Sequence, residues 1–215
     1  MNNFIKRKDR FEFFNSFENP LLNLTFKLET EDFLTHCKSH HLPPFHFFLF
    51  HLFEALKDSD NFLYRIYQGQ VMKVEHLIPS YTVMAEDNLF NYTRFEYSPD
   101  INEFIRRSLQ AKAEAEKSKP LINTGVELDE RTLRNYVFIT CIPWLDFTSI
   151  QHPVFKYKSA DIPSIAWGKF TRQENKILIP FSLQAHHGFV DAFHMHQLAE
   201  SLKARIKNAI SAQGR

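Results

Sequence analysis

Glycine is scarce in this chain, with 5 in 215 residues, and cysteine is scarcer, with 2. That composition excludes a collagen-like repeat, and neither a G-x-G-x-x-G loop nor a Walker sequence occurs. Cys37 and Cys141 cannot make a disulfide scaffold, and a chain that can bury a core does not need one, so reduced thiols are expected. An excess of either charge is also missing: 26 Lys and Arg meet 25 Asp and Glu. This balance argues against a general electrostatic grip on nucleic acid or an anionic membrane. No apolar run approaches a membrane span, and the opening MNNFIKRKDRFEFF puts charges where a signal peptide needs an apolar stretch. A cytoplasmic protein is expected.

What the chain has in abundance is phenylalanine, 23 residues, and histidine, 11. So many phenylalanines imply an aromatic core, a large apolar pocket or a subunit interface, and the count does not choose among them. With 44% hydrophobic and 24% charged residues the composition is that of a folded soluble protein. No repeat, low-complexity tract or Gly/Ser linker divides it, so residues 1–215 are expected to form a single domain.

Leu22, Leu24, Phe26 and Leu28 alternate, which predicts a half-buried strand. Thr30 is placed to cap a helix with Glu31 and Asp32 in its first turn. After Pro43-Pro44, the spacing of Phe45, Phe48, Leu49, Leu52, Phe53 and Leu56 predicts a buried helix. Strands are expected around 71–74, 81–84, 89–97, 136–141, 165–171 and 176–185. A helix should follow Asp100, with a solvated end at AKAEAEKSK, and another should run from about Val190 to Ile210. Strands and helices mix without strict alternation, so the predicted class is α+β with a mixed, largely antiparallel sheet packed with helices.

The stretch KILIPFSLQAHHGFVDAFHMHQLAESLKARI carries the chemistry. A strand delivers His186 and His187 at its end, Gly188 breaks the pattern, and a helix opens near Asp191. An imidazole there can serve as a general base near neutral pH. Three readings compete: a structural histidine pair, a metal site drawn from His186, His187, Asp191, His194 and His196, and an acyltransferase base in an HHxxxD arrangement. The metal reading lacks HExxH or paired CxxC spacing.

His186-His187-Gly188-Phe189-Val190-Asp191-Ala192-Phe193-His194 resembles the HHxxxDGFH signature of the chloramphenicol acetyltransferases. Arg7-Lys8-Asp9-Arg10-Phe11-Glu12 resembles the family's RKEHFE, and Pro79-Ser80-Tyr81-Thr82-Val83 its P-x-YTV strand. Pro143-Trp144-Leu145-Asp146-Phe147-Thr148-Ser149 resembles its PW-x-x-FTS segment, and Gly168-Lys169-Phe170 its GKY. The motifs stand in family order over nearly the whole chain.

The resemblance implies a CoA-dependent acyltransferase-like two-layer sandwich, with acetyl-CoA as co-substrate, no metal, and a small-molecule hydroxyl acceptor such as chloramphenicol. His187 would take the proton from the acceptor hydroxyl in a ternary complex, and Thr140 would supply the oxyanion donor. Asp191 and Arg7 would pair, buried and bidentate, as architecture rather than as part of a triad. Trp144 and Phe170 would meet the adenine end of CoA, and Lys169 its phosphates. The family forms trimers with active sites between subunits, so a homotrimer is implied, with Phe13, Phe14, Glu18, Pro20, Leu22 and Ala166 lining the acceptor pocket.

The chain departs from the family pattern at four places. Ala192 replaces a glycine, Thr140 a serine, and Ala166 a threonine, while Glu18 brings a carboxylate to a wall the family keeps apolar or small. An unpaired acid beside an apolar acceptor is costly, so Glu18 should reach solvent or meet a polar or cationic group. Two other functions compete: the catalytic domain of a dihydrolipoyl acyltransferase, whose lipoyl domain and linker are missing here, and a non-catalytic or altered-specificity trimer binding a different small ligand.

Overall fold

The apolar periodicities sort the chain into one sheet and a layer of helices. The computed structural model describes residues 2–85, 88–121, 129–153 and 160–212. The elements begin with α1 (Asn2–Ile5), α2 (Lys8–Asn15), β1 (Leu21–Glu31), α3 (Phe33–Ser39), α4 (Pro44–Lys57) and α5 (Asp60–Leu63). They continue with β2 (Tyr64–Tyr67), β3 (Gln70–Lys73), β4 (Ile78–Met84), β5 (Phe90–Tyr92) and α6 (Ile101–Glu116). The chain then forms β6 (Tyr136–Cys141), β7 (Ser164–Trp167), β8 (Thr171–Gln173), β9 (Lys176–His186) and α7 (Ala192–Ala212).

Among the described residues, seven strands form one sheet in the order β1-β9-β7-β6-β4-β5, with β8 on β9; β2 and β3 make a separate hairpin. The pairs β4–β6 and β6–β7 are parallel, and the other pairings of the large sheet are antiparallel. This is the mixed α+β arrangement expected. The β1–β9 register runs from Leu21↔His186 to Glu31↔Lys176. It brings the segment before β1 over the turn that follows β9.

Side chains alternate across the sheet. In β9, Ile177, Ile179, Phe181, Leu183 and Ala185 enter the core beneath the helices, while Ser182, Gln184 and His186 fall on the opposite face. Pro44 opens α4 at its first turn, where a missing N–H is harmless, and Phe47, Phe48, Leu49, Leu52, Phe53 and Leu56 are buried along it. Buried phenylalanines on α3, α4, α6 and β9 pack with Trp167 in one cluster, so the core takes a large share of the aromatic excess. Phe13 and Phe17 remain exposed.

Several boundaries differ from expectation. Thr30 does not cap a helix, because it belongs to the ladder as the partner of Ile177. Asp32 caps α3 instead, its side chain accepting from the Thr35 N–H and hydroxyl. The end of α6 is only half solvated, since Ala111 and Ala115 are buried. The expected strand at 89–97 shortens to β5, and the one at 165–171 divides into β7 and β8. Cys37 and Cys141 are free thiols, as expected. Among the described residues no helix is long and apolar enough to cross a membrane.

Candidate active site

β9 ends on two histidines in opposite circumstances. His186 is 1% exposed. Its Nδ1 accepts from the Gly188 N–H at 3.1 Å, which leaves the proton on Nε2 for Asn15 Oδ1 at 3.3 Å. Its ring lies among Phe11 and Phe189, at 5.7 and 5.0 Å between centroids. Burial, with the neighbouring His187 second, pushes its pKa down to about 4, so it is neutral. Gly188 is required here by close approach: an added Cβ would stand 2.8 Å from Phe11 Cα and 3.0 Å from the His186 ring.

His187 is half-buried. Its backbone N–H donates to the Pro20 carbonyl at 2.7 Å. Its Nδ1 lies 3.1 Å from the Val190 carbonyl, which can only accept, so Nδ1 carries the proton and Nε2 keeps a free lone pair. Phe14 stacks on the imidazole with centroids 3.8 Å apart and planes 24° from parallel. The resemblance implies Phe14 only as part of a pocket wall; its contact with the imidazole itself has no signal in the sequence.

Asp191 performs two tasks with its two oxygens. Oδ1 accepts from the Phe193 and His194 N–H groups, capping α7, and also lies 2.8 Å from His194 Nδ1. Oδ2 meets Arg7 Nη1 at 2.9 Å. Burial works against the carboxylate charge, but the hydrogen bond from Arg7 and the charges of His194 and Arg7 outweigh it and hold the pKa below the ordinary range. The pair is neither bidentate nor fully buried, which corrects the sequence expectation. Arg7 spends its Nε on the Gly188 carbonyl at 3.4 Å, and the two side chains are 16% and 34% exposed. Arg7 therefore ties the turn and the start of α7 to the N-terminal segment through two different acceptors.

Thr140 stands elsewhere. It pairs with Ala166, which pairs with Ser182, which pairs with Thr25, one rung across four strands on the face turned away from the main core. The rung is polar: Thr25 Oγ1 donates to Ser182 Oγ at 3.1 Å, Ser182 Oγ to Asn23 Oδ1 at 2.9 Å, and Asn23 Nδ2 to the Ile150 carbonyl at 2.6 Å. Ser182 precedes His186 by about 13 Å of strand, and Thr140 lies two strand spacings, about 10 Å, to the side. One chain does not bring Thr140 and His187 to the same reacting atom. Ala166 has 0% exposure and presents only its small size to this face.

The segments assigned to CoA are held together by the backbone. Ile142 N–H donates to the Trp167 carbonyl, Lys169 N–H to Leu145, and Gly168 N–H to Pro180. A Cβ on Gly168 would sit 2.4 Å from the Leu145 carbonyl oxygen, so this crossing accepts only glycine. Trp144 is 63% exposed and Lys169 is exposed. Phe170 instead packs against Phe33 and Phe48, with centroids 5.2 and 5.6 Å away.

Phe13, Phe14 and Phe17 form an edge-packed cluster beside His187. Pro20 and Leu22 are half-buried on the way into β1, and Glu18 is exposed, as its charge requires. Ala192 is the first residue of α7, and among the described non-glycine residues positive φ falls elsewhere, at His41, Gln68, Asn88 and Glu174. Alanine is therefore unstrained at that signature position. Among the described residues, no three His, Cys, Asp or Glu side chains come together in a way that could hold a metal.

The sequence pattern of the chloramphenicol acetyltransferase family matches residues 1–203. A chloramphenicol acetyltransferase of Escherichia coli is 26% identical over 198 residues, 92% of this chain and 88% of that protein. Chloramphenicol acetyltransferase 3 of the same organism is 25% identical and covers 94% of each chain. A solved chloramphenicol acetyltransferase superposes with a TM-score of 0.81 at 26% identity, over 93% of this chain and 94% of that one. The cubic core of the pyruvate dehydrogenase multienzyme complex superposes at 0.68 over 94% and 88%, but at 11% identity it shares the fold alone. A family match over nearly the whole length makes this chain a member of the chloramphenicol acetyltransferase family of acyltransferase enzymes.

Proposed function

We propose that the protein is an acetyl-CoA-dependent O-acetyltransferase acting on a hydroxyl of chloramphenicol or a related small molecule, with His187 as general base in a ternary complex. The observation that carries this reading is the fixed tautomer: Nδ1 is committed to the Val190 carbonyl, so Nε2 is the nitrogen left to accept a proton. Nε2 takes the acceptor's hydroxyl proton as that oxygen attacks the thioester carbonyl. The tetrahedral intermediate collapses by breaking the C–S bond, and the imidazolium returns the proton to the departing thiolate. No covalent acyl-enzyme is needed.

The Thr140 hydroxyl supports the developing oxyanion. Because one chain keeps Thr140 far from His187, the proposal includes a homotrimer of single-domain subunits in which Thr140 comes from a neighbouring copy. The exposed Phe13 and Phe17 beside His187 fit such a seam. With Ala166, the segment Phe13, Phe14, Glu18, Pro20 and Leu22 lines the acceptor pocket. Exposed Trp144 gives the adenine of acetyl-CoA an aromatic face, Lys169 meets its phosphates, and Phe170 supplies only an edge. Asp191 and Arg7 hold the architecture.

CoA thiol release with chloramphenicol should fall by roughly a thousandfold in His187→Ala. Unchanged turnover in that variant overturns the reading. A second acceptor class is favoured by Glu18: if cationic or polar alcohols are acetylated faster than chloramphenicol, and Glu18→Gln removes that preference, the acceptor differs while the machinery stands. Unstrained Ala192 takes away one support of a non-catalytic reading.

A further inference from the structure

We infer that His186 and Asn15 are positioning residues, which hold the His187 turn to helix α2 and so keep Phe14 stacked over the proposed base. The inference rests on His187 being that base.

The geometry forms one linked path. His186 Nδ1 accepts from Gly188 N–H, two residues along, which closes the turn immediately around His187. The opposite edge of the same ring, Nε2, meets Asn15 Oδ1, the last residue of α2. Asn15 directly follows Phe14, whose ring covers the His187 imidazole. One neutral imidazole thus fixes both the backbone that carries His187 and the helix end that carries its stacking partner. Phe11, a turn earlier on α2, closes over both His186 and Phe189.

This path works only with His186 neutral. A second proton on Nδ1 would remove the acceptor for Gly188 N–H and leave two donors facing each other. The groups around the ring suit that state: Phe11 and Asn15 from α2, Leu21 opposite on β1, Gly188 and Phe189 from the turn, and the imidazole of His187, which as a cation disfavours a second charge. Asn15, an uncharged acceptor, anchors Nε2–H without inviting protonation. An aspartate there would anchor it and invite a proton as well.

That contrast supplies the test. Asn15 is otherwise exposed, so replacing it leaves the core intact. Asn15→Ala should lower kcat about fivefold, the scale of one hydrogen bond, with KM for acetyl-CoA unchanged. Asn15→Asp should move the acid limb of the kcat/KM profile to higher pH, because His186 now titrates nearer neutrality and its protonation opens the turn. The new carboxylate also acts on His187 directly, so the double variant Asn15→Asp/His186→Asn separates the routes. Asparagine at 186 can close the same turn from its side-chain oxygen to the N–H two residues on, and it does not titrate. Return of the acid limb to its wild-type position in the double variant supports the inference. A limb that stays shifted, or an Asn15→Asp profile that superimposes on wild type, overturns it. His187→Ala, assayed in parallel, reports on the base alone: its inactivity beside a silent Asn15 series sinks only the positioning role, and its full activity sinks the base.

Discussion

The two ends of the sheet are built on opposite plans. At the β9–α7 end nearly every polar group is satisfied within the chain: His186 by Gly188 and Asn15, His187 Nδ1 by Val190, Asp191 by Arg7 and the first turn of α7. At the β6–β7 end, the backbone is clasped through Gly168 and Leu145, but Trp144 is 63% exposed. Among the described residues the Thr140 hydroxyl and the Lys169 ammonium show no partner there. On the proposed function, His187 must hold one tautomer before any ligand arrives, and that demands partners from its own chain. On the same proposal, the groups that would meet acetyl-CoA and the oxyanion are left without partners until a ligand comes.

Three measurements sharpen or break that contrast. The largest effect is expected at Thr140: Thr140→Val should lower kcat about a hundredfold without shifting the melting temperature, and Thr140→Ser should retain most activity. An equal loss in both variants would mean that packing rather than the hydroxyl matters.

The next concerns pH. His186 titrates near 6.5 when unfolded and at about 4 when folded, so its contribution to stability is complete above pH 6.5 and is lost as pH falls towards 4. His46 and His51, also pushed down to about 4 by burial, act in the same direction. Denaturant unfolding at pH 7 and pH 5 should differ by on the order of 2 kcal/mol for each such group, and His186→Asn should flatten part of the slope. If the slope is unchanged, the turn is looser than described.

The smallest effect belongs to the rim. Trp144→Ala should raise KM for acetyl-CoA about tenfold, with kcat within about twofold and the melting temperature unmoved. A fall in melting temperature would show that the exposed end is structural after all.

Much of the architecture could be read directly. The i, i+3, i+4 spacing of α4 and the alternation of β9 are burial patterns, and burial is what periodicity reports. Helix α2 escaped because none of its residues is fully buried and only two are half-buried; Phe11 and Phe14 three apart, after Asp9 in the first turn, were its only trace. The Thr30 expectation failed because a long-range ladder with β9 outweighed a local capping preference. At the candidate site, the motifs pointed to His187, Asp191 and Arg7, and the chain folds Arg7 onto Asp191. Asn15 carries no motif, and its contact with His186 depends on the β1–β9 register, which no local window contains. The split of Arg7 between Asp191 and Gly188 is likewise a matter of three-dimensional reach.

Helix α2 has one more consequence. Its hold on the rest of the chain rests on the half-buried Phe11 and Phe14, yet it supplies Phe14 and Asn15 to the turn. Detachment of that short helix should cost less than opening the sheet, whose strands carry the core. Warming is therefore expected to loosen the Phe14–His187 contact before it melts the sheet.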